Sequence, residues 1–237
     1  MKGASVELHD VHFDYEDMAM QFELAVPAGR LLALIGPSGA GKTTILNLIA
    51  GFEQPLAGAI SIGGRAVTGL PPAERPVTMV FQEHNLFAHL DVATNVGLGI
   101  SPALRLTAAD RERVAAALAR VELEGFGSRL PGQLSGGERQ RVALARCLVR
   151  DRPVLLLDEP FAALGPALRR DMLDLIAGIH KERGMTVLLV THQPEDARRV
   201  ASHTALVHAG RILAVQPTQE LLSATAIPEL EEYLGDE

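Results

Sequence analysis

Leu31–Ala50 reads LLALIGPSGAGKTTILNLIA, and its three textures decide the fold. Leu31–Ile35 is a short apolar run with the length and character of a buried strand. It leads into a glycine-rich loop, Gly36, Pro37, Ser38, Gly39, Ala40 and Gly41. From Thr43 to Ala50 apolar residues recur at helical spacing until Gly51 stops them. Strand, loop and helix in that order form the setting in which Gly36–Thr43 fits the phosphate-loop pattern G-x-x-x-x-G-K followed by Ser or Thr. The chemistry needs these residue types. Glycines let backbone N–H groups converge on phosphate oxygens, the helix start adds its positive end, and Lys42 neutralises the outer phosphates. Thr43 offers a hydroxyl to Mg2+, and Thr44 joins it as a nucleotide contact. A glycine-rich turn with an incidental lysine is the plain alternative, which the full spacing in the right setting disfavours. ATP and Mg2+ are the expected cofactors.

Downstream, Val154–Leu157 and Thr186–Val190 read as two more buried strands, with a helical segment from Pro166 to Glu182 between them. Asp158 and Glu159 follow the first of these strands, at the edge where open α/β sheets place their ligands. One carboxylate, Asp158, suits the magnesium shell. Glu159, one step further, suits polarising the attacking water, although either could instead cap a helix. Upstream, Met20–Val26 alternates apolar and polar residues, a half-buried strand in an antiparallel opening. The middle is helical: Thr107–Val121 opens on Thr107 and Asp110 in capping-box spacing, and Ser135–Val149 opens on Ser135 and Glu138 in the same spacing. The expected fold is therefore α/β, a RecA-like phosphate-loop NTPase core with an antiparallel β subdomain and a helical subdomain inserted at about 86–150. One nucleotide-binding domain fills 1–237.

Length and composition agree with one domain: 237 residues, 47% of them hydrophobic, bury one sizeable core. No apolar run approaches the ~18 residues of a membrane span. Residues 1–10, MKGASVELHD, lack the apolar centre of a signal peptide, so a cytoplasmic location is expected. The single cysteine, Cys147, excludes an internal disulfide and lies beside Leu144 and Leu148, as a core residue does. A net charge of −7 argues against a nucleic-acid partner. Arg139, Arg141, Arg146, Arg150 and Arg152 are expected to form a solvated helix face rather than a phosphate-binding patch.

Leu134, Ser135, Gly136, Gly137 and Glu138 are the most discriminating run, because an ordinary phosphate-loop enzyme has no use for it. A helix start that backbone can approach closely also binds a γ-phosphate, and a second copy of the chain is one way to deliver it. With this run in place the chain resembles the ABC ATPase nucleotide-binding domains along nearly its whole length. The resemblance implies that Tyr15 stacks on adenine and that Gln82 contacts magnesium and the attacking water while linking to a permease. It also implies that His192 contacts the γ-phosphate, and that two chains pair head to tail over two ATP molecules. The partners it implies are a second ATPase subunit, membrane permease subunits and, indirectly, a solute-binding protein. The place it implies is the cytoplasmic face of a bacterial inner membrane.

One position departs from the family pattern. After Asp158, Glu159 and Pro160 the family has alanine or serine, leucine and aspartate, whereas this chain has Ala163, Leu164 and Gly165. In relatives that aspartate crosses the dimer interface, so reduced cooperativity with hydrolysis retained is expected. The chain ends soon after the core, which disfavours importer subunits with a long regulatory extension. Phe81–Ile100, FQEHNLFAHLDVATNVGLGI, and Leu144–Arg150, LARCLVR, resemble the thiamine-importer branch more than the ferric-iron or polyamine branches. Residues 83–90, with Asn85, Leu86, Phe87 and Leu90, offer an apolar patch for a permease helix, with core packing as the alternative.

Overall fold

The computed structural model describes residues 2–15, 18–81, 85–224 and 227–235. Ten strands share one sheet: β1 (Val6–Tyr15), β2 (Met18–Val26), β3 (Leu31–Ile35), β4 (Ala57–Ile62), β5 (Arg65–Ala66), β6 (Val77–Val80), β7 (Val154–Asp158), β8 (Thr186–Val190), β9 (His203–His208) and β10 (Arg211–Pro217). Their order is β5-β4-β1-β2-β10-β9-β3-β8-β7-β6. From β9 to β6 all neighbours are parallel, and β3, β7 and β8 are buried at every residue, as a sheet covered on both faces requires. On the other flank β1 pairs antiparallel with β2 and β4, and β2 buries every second residue from Met20 to Val26. The antiparallel opening and the parallel centre expected from the sequence are both present.

Period two in β3 distributes its side chains between two cores. Leu31, Ala33 and Ile35 join one cluster with Leu155, Leu157, Val187 and Leu189, while Leu32 and Leu34 join the other with Leu156, Leu188 and Val190. The second cluster is covered by α1 (Lys42–Ala50) through Ile45, Leu46, Leu48 and Ile49. The first is covered by α4 (Gly136–Val149) and α5 (Pro166–Arg183). Before α4 come α2 (Val92–Gly97) and α3 (Ala108–Arg120), and these three helices pack on one another between β6 and β7 in the chain. Because α4 also packs on β6, the helical segment is welded to the sheet rather than hung from it. After β8 come α6 (Pro194–Val200), α7 (Thr218–Leu221) and α8 (Pro228–Gly235).

Local chemistry sets the helix starts. Thr107 Oγ1 accepts from the Asp110 N–H at 3.2 Å while Asp110 accepts from the Thr107 N–H at 3.0 Å, a reciprocal cap. Ser135 and Glu138 repeat it, with Glu138 Oε2 2.6 Å from the Ser135 N–H, and that bond holds the Glu138 carboxyl below its usual pKa. Cys147 is buried, and burial pushes its thiol up. Three of the five arginines differ from expectation, while Arg150 is exposed as expected. Arg139, Arg141 and Arg146 are half-buried, and each guanidinium donates to a backbone carbonyl, of Leu134, Val121 and Asn85 respectively. They act as carbonyl caps whose stems lie along the protein, which charge patterning alone does not reveal.

Candidate nucleotide site

The parallel strands bring their carboxyl ends to one edge. Asp158, the last residue of β7, lies in register with Val190 of β8, which pairs with Leu34 of β3. The loop after β3, the carboxylates at the end of β7 and His192 after β8 therefore meet without a long excursion of chain. Gly36 leaves β3 at φ 140°, and a Cβ there would sit 1.9 Å from the Val207 carbonyl oxygen, so only glycine fits. Gly41, at φ 104°, is the N-cap residue before α1.

Lys42 is 4% exposed, and its Nζ donates to the carbonyls of Gly36 at 2.6 Å and Pro37 at 2.7 Å. An ammonium carries three donors, so one remains for an anion above the loop. Desolvation lowers the Lys42 pKa to about 8 against the opposing pull of Glu159 and Asp158. Thr43 Oγ1 donates to Asp158 Oδ1 at 2.9 Å, and burial pushes the Asp158 carboxyl up. Two hard oxygen donors side by side, one of them costly to keep charged without a cation, fit Mg2+. Glu159 has φ 44°, a left-handed conformation unusual for a side-chain residue, held by its N–H on the Val190 carbonyl at 3.2 Å. The turn aims its carboxylate at His192, where Oε1 meets Nε2 in direct contact.

A cleft of about 590 Å³ gathers these groups: Ser38, Gly39, Ala40, Gly41, Lys42, Thr43 and Thr44 from the loop and helix, Glu159 and His192 opposite, and Tyr15 at the rim. Tyr15 is 57% exposed, an open ring face beside the phosphate loop. The family profile described as ABC transporter matches residues 19–162. The chain belongs to the ABC transporter family. Among the relatives of this ABC ATPase, a thiamine import ATP-binding protein of Mesorhizobium japonicum is 57% identical over 234 residues, 99% of this chain and 92% of that protein. One of Rhizobium meliloti is 54% identical over 237 residues, covering both chains in full (100% of each). Among solved structures, a dimeric post-hydrolysis state of an ATP-binding cassette bound to ADP and Pi is 30% identical. It covers 90% of this chain and 98% of that one, with a TM-score of 0.79.

Ser135, Gly136, Gly137 and Glu138 are absent from the described lining of the ABC ATPase's own cleft. They open α4, where Ser135 is exposed and Gly137 is buried against Leu168 of α5. Gln82 lies outside the described residues. Other side chains carry the site without a sequence signal. Gln140, 3% exposed on α4, donates its amide to the Pro160 carbonyl, tying that helix to the turn after Glu159. Behind His192, Thr191 Oγ1 donates to Asp196 Oδ2 at 2.7 Å, and Arg169 Nε of α5 donates to the same oxygen at 2.9 Å. The Gln140 and Arg169 contacts join residues 20 and 27 apart in sequence, and no local pattern announces them.

Proposed function

We propose that this chain is the ATP-hydrolysing subunit of a thiamine importer, working as a head-to-tail homodimer beneath membrane permease subunits that a solute-binding protein supplies. The observation that carries the reading is the convergence of Lys42, Thr43, Glu159 and His192 on one cleft while Ser135–Glu138 open a helix elsewhere on the chain. A second copy delivers that segment to the nucleotide. The solute follows from the relatives, which are named for thiamine import at 51–57% identity. No helix of the described residues is long and apolar enough to cross a membrane, which fits a peripheral subunit at the cytoplasmic face of the inner membrane.

In the proposed mechanism Tyr15 stacks on adenine, the backbone of Gly36–Thr44 cradles the phosphates, and Lys42 offsets their charge. Thr43, Asp158 and Gln82 would hold Mg2+, which would supply positive charge to offset that of the phosphates. Glu159 accepts a proton from water as the water oxygen forms its bond to the γ-phosphorus. The bond to the β,γ-bridging oxygen breaks, leaving ADP and phosphate. His192 donates to the γ-phosphoryl oxygens where charge is spread. Pairing over ATP and reopening after hydrolysis give the permease its two states. The helical subdomain at about 86–150 carries the Ser135–Glu138 segment and the permease contact. There Asn95 pins residues 87–91, its Nδ2 donating to Phe87, Leu90 and Asp91 carbonyls at 3.1, 2.9 and 3.0 Å, and Phe87 stands 50% exposed.

The test is uptake of labelled thiamine into vesicles holding the complete transporter. Uptake that needs ATP inside and is abolished by Lys42→Ala supports the reading. Uptake of iron or a polyamine in place of thiamine would reassign the solute. ATP bound without turnover in the complete transporter would make the chain a nucleotide-binding regulatory module, the reading that Gly165 favours.

A further inference from the structure

His192 works only if its ring is held where the transferred group will be, and the loop that carries it is short. The loop is fixed on one side by the buried Thr191–Asp196–Arg169 network, with the Gln193 N–H also on Thr191 Oγ1 at 3.1 Å. On the other side a side chain reaches it from far along the sequence. The Tyr233 hydroxyl donates to the backbone carbonyl of His192. Tyr233 sits on α8 and is 9% exposed, one turn from Leu230, which is fully buried. Both residues belong to the core cluster that includes Ala197, Ala201, Leu221 and Leu222, so α8 is seated on the same body as α6.

We propose that Tyr233 is a positioning residue for His192, its hydroxyl fixing the peptide between His192 and Gln193 and through it the reach of the imidazole to the γ-phosphoryl group. The inference rests on the role given to His192 above. A carbonyl held by a rigid phenol cannot swing, and a swing of that peptide re-aims the ring by rotation about the His192 backbone. Placement errors of about 1 Å at a catalytic group cost up to ~100-fold in rate. Loss of one hydrogen bond to a loop that keeps its other anchors costs less, about fivefold. The effect falls on turnover and leaves ATP binding alone, because the phosphate loop and Tyr15 lie on other elements.

Tyr233→Phe keeps the ring and its packing and removes only the hydroxyl. In the complete transporter kcat for ATP is expected to fall about fivefold with KM within about twofold of the parent. In a His192→Ala background the same change is expected to do nothing further, since the group it positions is gone. An equal loss in both backgrounds, or no loss beside a His192→Ala variant that is inactive, overturns the positioning role and leaves the proposed function standing. A His192→Ala variant as active as the parent overturns both. A second measurement does not depend on turnover. The His192 ring resonances of the nucleotide-free full chain, assigned by their disappearance in His192→Ala, are expected to move in Tyr233→Phe and to stay in Leu230→Val. Unmoved resonances in Tyr233→Phe, or equal movement in both variants, overturn the proposal.

Discussion

Replacing Arg75 by methionine removes a guanidinium that no sequence motif announces and that holds the phosphate-loop helix from behind. Arg75 is fully buried, at 0% exposure, just after the turn Pro72–Glu74. Its Nη1 donates to the carbonyls of Leu48 at 2.5 Å and Ile49 at 3.0 Å, its Nη2 to Thr68 at 2.8 Å and its Nε to Leu70 at 2.9 Å. Leu48 and Ile49 lie in the last turn of α1, where carbonyls have no partner within the helix. Gly51 is glycine for the same reason: at φ 84° a Cβ would stand 2.5 Å from Arg75 Nε. Methionine keeps much of the stem's volume and leaves four carbonyls without their donor, at about 1 kcal/mol each. The relief of no longer burying a cation offsets part of this, for a net loss of about 3 kcal/mol. In a chain of this size that lowers Tm by about 6–12 °C. Thermal unfolding followed by circular dichroism reads it directly, with Arg75→Lys intermediate because a point charge cannot serve four directions. A Tm for Arg75→Met within about 2 °C of the parent would refute the reasoning.

Gly165 is the N-cap residue before α5, at φ −63° and ψ 158° with no side-chain capping bond, and nothing lies within 4 Å of an added Cβ. Gly165→Asp is therefore expected to stabilise the chain by a few tenths to about 1 kcal/mol, read by urea unfolding, and to raise the cooperativity of ATP hydrolysis. Unchanged turnover and cooperativity would sink the coupling role of this position. With the Lys42 pKa lowered to about 8, the free chain loses that charge as pH rises through 8, whereas the unfolded chain keeps it to its ordinary value of 10.5. The unfolded state then binds more protons, so Lys42 makes stability rise with pH across that window. ATP affinity measured calorimetrically falls over the same window, since phosphate needs the ammonium, and an affinity flat from pH 7 to 9.5 contradicts this. Phe87→Glu is expected to abolish thiamine uptake while sparing basal hydrolysis; loss of nucleotide binding instead indicates misfolding.

Much of the fold was legible because its signals are local. β3 and β8 fall where their apolar runs place them, and Thr107 and Ser135 cap the helices their spacing implies. β7 runs one residue further than expected, through Asp158, because its ladder to Val190 continues past the apolar run. What stayed hidden is long-range. The Arg75, Gln140 and Tyr233 contacts join residues 26 or more, 20 and 41 positions from their α1, Pro160 and His192 partners. Nothing in the neighbouring residues encodes such pairs. The left-handed backbone of Glu159 was equally silent, since it comes from the strand it leaves and the strand it leans on.

The most direct test of the central claim compares ATP hydrolysis by the complete transporter with that of its Glu159→Gln variant, and follows dimer formation by the isolated variant with and without ATP. The account predicts that the variant loses turnover and forms a dimer only with ATP, since glutamine keeps the shape of Glu159 and cannot take the proton. A variant that hydrolyses ATP at the parent's rate would contradict it.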